Sequence, residues 1–216
     1  MDKIQYILFD LDGTLYDDET GLFVEVGNRI EGWIAEQLAL SLDAAKQLRH
    51  EYYIRYGTTM AGLLHDRPDL DIDAYLNYVH DVDVAIYLHP DPRLNQMLNN
   101  LTLPKVIFTN SISSWAERIT VQLGVRQHFQ DIFDVRAVDY HCKPHPHAFS
   151  RVINQLGVSG DACVMLDDQP SYLAGAKRAG MKTVLVRPDW TSSNGIDAAV
   201  PHILDAELVL RQWCGG

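Results

Sequence analysis

Tyr6-Ile7-Leu8-Phe9-Asp10-Leu11-Asp12-Gly13-Thr14 places four apolar residues directly before acid. An unbroken apolar run of this length suits a strand buried on both faces, as in the interior of a parallel sheet. Three later runs share the form: Val106-Ile107-Phe108 before Thr109, Cys163-Val164-Met165-Leu166 before Asp167, and Thr183-Val184-Leu185-Val186 before Arg187. Helical patterns lie between them, over 115–123 with a stop at Gly124, 148–156 with a stop at Gly157, and 172–179 with a stop at Gly180. Alternating strand and helix predicts an α/β fold, a Rossmann-like, doubly wound parallel sheet. Ligands of such sheets bind beyond the carboxyl ends of the strands, the edge on which Asp10, Thr109 and Asp167 fall.

Residues 22–84 have another texture. Phe23, Val26, Ile30, Trp33, Ile34 and Leu38 recur at the steps of an amphipathic helix with an apolar face, where Trp33 is most simply core. A second helix is expected from an N-cap at Asp43 to Tyr56, stopped by Gly57, with shorter pieces at 60–64 and 74–79 and no strand. Thr109 and Lys143 lie 34 positions apart and Lys143 and Asp167 24 apart, each near the ~30 residues of one βαβ step. Asp10 and Thr109 lie 99 apart. The excess predicts a helical-bundle cap domain over 17–84, inserted into a catalytic core of 1–16 and 85–216. It also explains why the 216 residues amount to about 1.4 domains.

Hydrophobic residues at 47% and charged residues at 22% are ordinary globular usage. Asp and Glu number 29 against 18 Lys and Arg, a net charge of −11 with no basic run, which disfavours a nucleic-acid polymer or an anionic membrane as partner. A small phosphorylated substrate stays open, because a metal ion can supply positive charge. Cys142, Cys163 and Cys214 fit neither a disulfide framework nor a CxxC site, so a reducing, cytoplasmic location is expected. The first apolar run reaches Asp10 too soon for a signal peptide, and no stretch approaches the ~20 apolar residues of a membrane span. Monomer and homodimer both fit.

Asp10, last on its strand, and Asp12, two positions on, can both face one site while Gly13 permits a tight turn. Two carboxylates so placed suit phosphoryl transfer through an aspartyl phosphate: one attacks and the other handles the leaving-group proton. Two unit charges ~4 Å apart repel by about 4 kcal/mol at an effective dielectric of 20, so an anion attacking a phosphate calls for a cation. Asp167 and Asp168 supply hard oxygen ligands of the kind Mg²⁺ prefers. Thr109 offers a hydroxyl, with Asn110 behind it, and Lys143 a point charge able to bridge nucleophile and phosphate.

The order Asp-x-Asp-Gly-Thr, Thr-Asn, Lys-Pro, Asp-Asp resembles the haloacid-dehalogenase superfamily of Mg²⁺-dependent phosphohydrolases over essentially the whole chain. The finer resemblance is to its pyrimidine 5′-nucleotidase branch, through Leu15-Tyr16, Tyr52-Tyr53, Tyr56-Gly57-Thr58-Thr59, Gly62-Leu63, Tyr78-Val79-His80-Asp81 and Pro90-Asp91-Pro92. The resemblance implies Asp10 as nucleophile and Asp12 as general acid/base. It implies Mg²⁺ held by the Asp10 carboxylate, the Asp12 backbone carbonyl and Asp168, with Asp167 nearby or acting through water. Thr109, Asn110 and Lys143 would hold phosphate, and Tyr56, Gly57, Thr58, Thr59 and His80 would bear on specificity. Gln169 stands where the superfamily usually has Ser, and Tyr172 where Asn is common.

The implied reaction is hydrolysis of pyrimidine nucleoside 5′-monophosphates such as UMP or CMP. A phosphatase or phosphomutase for sugar phosphates or other small metabolites is the alternative within the class. A phospho-accepting receiver module is the alternative outside it, though its acidic pair comes early and its phosphorylated Asp later, the reverse of this order. Dehalogenases of the superfamily lack the second aspartate. His141, Cys142, His145 and His147 admit a zinc reading against which Lys143 weighs. The tyrosines at 52, 53 and 56 suit packing or base stacking, and the pair Thr58-Thr59 suits base reading or the capping of a following helix.

Overall fold

The computed structural model describes residues 3–189 and 195–214; Met1, Asp2 and Trp190 lie outside them. Contacts group the chain into two units, Met1–Asp17 with Leu88–Gly216, and Asp18–Tyr87.

The second unit is built from helices α1 (Leu22–Leu38), α2 (Leu42–Tyr56), α3 (Thr59–Asp66) and α4 (Ile72–Val79), with no strand among the described residues. The apolar stripe of α1 buries Trp33 and Ile34, and the Trp33 ring meets Tyr75 of α4 edge-on at 5.0 Å. Helix α2 starts earlier than expected: Ser41, not Asp43, is its N-cap, and the Ser41 hydroxyl accepts the Ala44 N–H at 3.2 Å. Asp43 lies in the first turn instead, where a negative charge suits the helix dipole. Gly57 ends α2 with φ 85°, as its stop signal predicts. A Cβ on Gly62 would stand 2.2 Å from Tyr52 Cγ, so α3 packs onto α2 through the absence of a side chain there.

The first unit holds a six-stranded sheet of β1 (Tyr6–Phe9), β2 (Lys105–Phe108), β3 (Phe129–Phe133), β4 (Cys163–Asp167), β5 (Lys182–Val186) and β6 (Ala198–Val200). Every pairing is parallel and the order is β3-β2-β1-β4-β5-β6. This is the α/β, Rossmann-like sheet the apolar runs predict. The four runs read from sequence are the four inner strands. The edge strands β3 and β6 carry no such run: β3 exposes Gln130 and Asp131, and β6 is three small residues.

Helices α5 (Pro92–Asn100), α6 (Ser113–Leu123), α7 (Pro146–Leu156), α8 (Pro170–Arg178) and α9 (Ala206–Cys214) complete this unit. Helix α8 closes on Ala179, one residue short of the expected Gly180. Leu8, Phe108, Met165 and Leu185 from one sheet face pack with Phe149 and Val152 of α7 and Leu173 and Ala176 of α8. Cys142, Cys163 and Cys214 are buried and form no disulfide. Among the described residues no helix is long and apolar enough to cross a membrane.

Successive strands step from β1 outward to β3, and the chain then returns to lay β4 on the other side of β1. The strand order thus reverses at the carboxyl ends of β1 and β4, the crevice where such sheets take ligands.

Candidate active site

Strand register assembles the crevice. Phe9 pairs with Leu166 of β4 and with Ile107 of β2, so Asp10 comes level with Asp167 and Phe108, and its N–H donates to the Leu166 carbonyl at 2.9 Å. Lys143, from the segment between β3 and α7, completes it. Its ammonium donates to Asp10 Oδ1 at 2.7 Å, Asp167 Oδ2 at 2.8 Å and the Phe108 carbonyl at 2.9 Å. The lysine is fully buried, and its three protons meet three acceptors. Burial alone would lower its pKa, but the carboxylates of Asp10 and Asp167 hold it above the ordinary lysine range. Burial pushes the Asp10 carboxyl up against the pull of Lys143, and Asp167 is driven well above the usual carboxylate range by burial, again opposed by Lys143.

Asp168 adds a third carboxylate, and oxygens of Asp10, Asp167 and Asp168 lie within 4.8 Å of one another. With Lys143, three carboxylates leave two uncompensated negative charges, and hard oxygens with that excess suit a divalent cation such as Mg²⁺. Gly13 makes room for this cluster: its φ is 85°, and a Cβ there would stand 2.9 Å from Asp168 Cγ. A Gly13→Ala protein is therefore expected to lose about 1–3 kcal/mol of stability to left-handed backbone strain and to bind Mg²⁺ more weakly; thermal melts and calorimetric Mg²⁺ titration check both. Gln169 donates through its side-chain amide to Asp168 Oδ2 and through its backbone to Asp167 Oδ1.

Asp12 is placed apart from that trio. Its Oδ1 accepts from Tyr16 OH at 2.5 Å and Trp115 Nε1 at 2.9 Å, and its Oδ2 accepts from Ser111 Oγ at 2.8 Å. Tyr16 belongs to the Leu15-Tyr16 motif, but Ser111 and Trp115 stand in none of the motifs. The signal available was Ser111, two residues after Thr109, and an indole one turn into α6.

Thr109 is buried, and its hydroxyl accepts the Ser111 N–H at 3.0 Å. The side chain of Asn110 turns to the lysine loop rather than outward: it donates to the Lys143 carbonyl at 3.1 Å and accepts the Lys143 N–H at 2.7 Å. A planar amide fits a backbone N–H and C=O pair at once, so Asn110 clamps the segment that carries Lys143. Buried Asp134, absent from the motif reading, accepts the N–H groups of Ser113 and Ala137, each at 2.9 Å.

Tyr56, Gly57, Thr58, Thr59 and His80 belong to the helical unit. The Thr58 hydroxyl caps α3 by accepting the Ala61 N–H at 3.0 Å, and the Gly57 N–H donates to the Tyr53 carbonyl at 3.0 Å. Thr59 is buried in the first turn of α3. The buried His80 holds Nδ1 2.7 Å from the Leu76 carbonyl, and the Tyr56 hydroxyl lies 3.1 Å from His65 Nδ1. The His141 ring centroid lies 4.7 Å from that of His145 and 4.5 Å from that of His147. Among the described residues, the group of three ligands close enough to share an ion is the acidic trio, not these histidines.

Residues 4–180 match the family described as haloacid dehalogenase-like hydrolase. The chain is 30% identical over 192 residues to "Phosphate metabolism protein 8" of Saccharomyces cerevisiae, covering 82% of this chain and 60% of that protein, so it spans less than two thirds of this relative. It is 25% identical over 228 residues to a "Phosphoglycolate phosphatase" of Neisseria gonorrhoeae, covering 95% of this chain and 94% of that one. In three dimensions it is similar to an HAD phosphatase from Thermococcus onnurineus, with TM-score 0.68, 22% identity and 99% of each chain covered.

Proposed function

The chain belongs to the haloacid dehalogenase-like hydrolases, and from that premise we propose that it is a Mg²⁺-dependent phosphomonoesterase working through a phosphorylated Asp10. The observation that carries the reading is the division of labour between two carboxyls two residues apart. Asp10 is buried against Lys143 and the acidic trio, whereas Asp12 is held separately by hydroxyl and indole donors. Carboxyls set in unlike surroundings take unlike roles.

Asp10, Asp167 and Asp168 would hold Mg²⁺, together with the backbone carbonyl of Asp12; when bound, the ion supplies positive charge to phosphate oxygens. Lys143 holds Asp10 in place and adds charge at the same point. An Asp10 oxygen attacks phosphorus, and the bond from phosphorus to the ester oxygen breaks as Asp12 delivers a proton to that oxygen. Asp12 then takes a proton from water while the water oxygen attacks phosphorus, and the bond from Asp10 to phosphorus breaks. The sum is ester plus water giving alcohol and phosphate. Thr109 and the backbone around it would steady the phosphate.

For substrate we propose a pyrimidine nucleoside 5′-monophosphate, with the inserted helices acting as the cap that selects the leaving group. What supports it is the run of tyrosine, glycine and threonine motifs in that insertion. The phosphoglycolate phosphatase relative, aligned over 95% of the chain, favours a small phosphorylated acid as the second reading. Phosphate release from UMP, CMP, dUMP, AMP, GMP, sugar phosphates and phosphoglycolate, with Mg²⁺ and with EDTA, decides between them. Turnover restricted to the pyrimidine nucleotides and silenced by EDTA is the expected result. Indifference to the base defeats the nucleotidase reading, and full activity in EDTA defeats the metal role.

A further inference from the structure

We infer that Tyr172 and Phe108 are positioning residues for Lys143: their rings wall its ammonium and hold it at the reacting centre while its partner Asp10 changes charge. The inference rests on the reading of Asp10 as nucleophile.

Lys143 Nζ lies over the Phe108 ring and over the Tyr172 ring, 5.2 Å from each centroid. Both distances fall inside the ~6 Å within which a ring face attracts a cation. Both rings are fixed by their surroundings. Phe108 is fully buried at the end of β2 and meets Phe149 of α7 edge-on at 5.4 Å. Tyr172 is buried in the first turn of α8. That helix is seated tightly against the lysine segment, because Gly175 carries no side chain. A Cβ on Gly175 would stand 2.5 Å from Phe149 Cε2 and 3.1 Å from the Pro144 carbonyl oxygen. Strand β4 ends on Asp167, and the helix that follows it thus returns Tyr172 to the lysine.

The reaction gives the rings a task that the carboxylates cannot perform. The three ammonium protons go to Asp10, Asp167 and the Phe108 carbonyl, so the rings act on the charge without competing for a proton. At rest two carboxylates hold the lysine. As an Asp10 oxygen bonds to phosphorus, and the ester oxygen leaves with its electron pair and the Asp12 proton, Asp10 ceases to be an anion. Half of the anionic hold on Lys143 is then lost, just when its charge is needed beside the phosphoryl group. The attraction of the two ring faces does not change with the reaction, and the rings also keep water from taking the ammonium protons. An aliphatic side chain in either place would exclude water but attract no charge. The rings therefore bear on the chemical step rather than on substrate binding, so their loss lowers kcat and leaves KM in place.

The test removes the attraction of a ring while keeping its shape. Tyr172→Phe sets the reference, and 4-fluoro-, 3,5-difluoro- and 3,4,5-trifluorophenylalanine are placed at the same position, each fluorine weakening the negative ring face. With p-nitrophenyl phosphate as probe at saturating Mg²⁺, kcat is expected to fall stepwise with fluorine number, to about 3- to 10-fold below the reference for the trifluoro ring, with KM within about twofold and the melting temperature level. Tyr172→Leu, which has no ring, is expected to fall at least as far. Should Tyr172→Phe fail to fold, the same series at Phe108 makes the comparison with the natural residue as its reference. A kcat indifferent to fluorine in folded proteins, or one that falls only in step with the melting temperature, makes the rings plain packing. Either result overturns the inference and leaves the phosphatase reading intact. Wild-type protein that releases no phosphate from the probe or from any ester of the panel above overturns both.

Discussion

Asp10→Asn protein is expected to fold as well as wild type, to bind substrate, and to release phosphate at a rate lower by at least about 10⁴-fold. A carboxamide keeps the shape of the side chain and still offers an oxygen to the Lys143 ammonium, 2.7 Å away in the wild type. What it loses is the anion that attacks phosphorus. Its loss is electrostatically favourable at rest: burial raises the Asp10 carboxyl, and Asp10 and Asp167 share a single lysine. Removing one of two buried negative charges leaves one matched pair, so the melting temperature should stay level or rise. Phosphate release at saturating Mg²⁺, calorimetric substrate binding and a thermal melt together make the test. Saturating metal matters because the variant gives up one of three carboxylates that lie within 4.8 Å of one another. Turnover near the wild-type rate would sink the nucleophile assignment. A collapse of the fold would show instead that the charge at position 10 is structural.

What the sequence makes legible follows from which strands are inner. Strands β1, β2, β4 and β5 are paired on both edges and largely buried, so the middle of each must be apolar, and each shows as a run ending at the polar edge. That is why Asp10, Thr109 and Asp167 fall on one line in the sequence pattern alone. An edge strand escapes this demand, and β3 reads as Phe-Gln-Asp-Ile-Phe, which no apolar run betrays. Chain order could rank Lys143 among the site residues but not show that it is fully buried with three acceptors. The surroundings of Asp12 were illegible for a plainer reason: Ser111 and Trp115 lie 99 and 103 positions away in sequence, on what reads as an ordinary helix start. Asn110 shows the limit of a motif from the other side. Its place next to Thr109 suggests a phosphate ligand, and its amide in fact clamps the Lys143 backbone. Helix ends divide similarly. Gly57 was legible as a stop because it takes φ 85°, whereas Ser41 and Asp43 are both good N-caps and only the fold chooses between them.

Lys143→Met is expected to damage stability and activity together, whereas Asp10→Asn spares the fold. Methionine matches the length of the buried stem but removes the cation, leaving Asp10 and Asp167 facing each other and the Phe108 carbonyl without its 2.9 Å donor. Breaking a buried pair by deleting one partner costs about 3–5 kcal/mol, because the remaining charge has no compensation. At about 2–4 °C per kcal/mol for a chain of this size, the melting temperature should drop by roughly 10 °C. Activity should fall at least about 10³-fold, since charge held in place at the developing phosphoryl transition state is lost. A melt below the expected loss, under about 1 kcal/mol, would show that the lysine is not the counter-charge of the two carboxylates. The double variant Asp10→Asn, Lys143→Met sharpens the point. If the damage to the fold comes from two carboxylates without a cation, neutralising one must restore much of the stability the lysine variant lost, and the two changes will be strongly non-additive in the melt. Simple addition of the two effects would mean that Lys143 supports the fold through its packed stem, and that the ion triad contributes little.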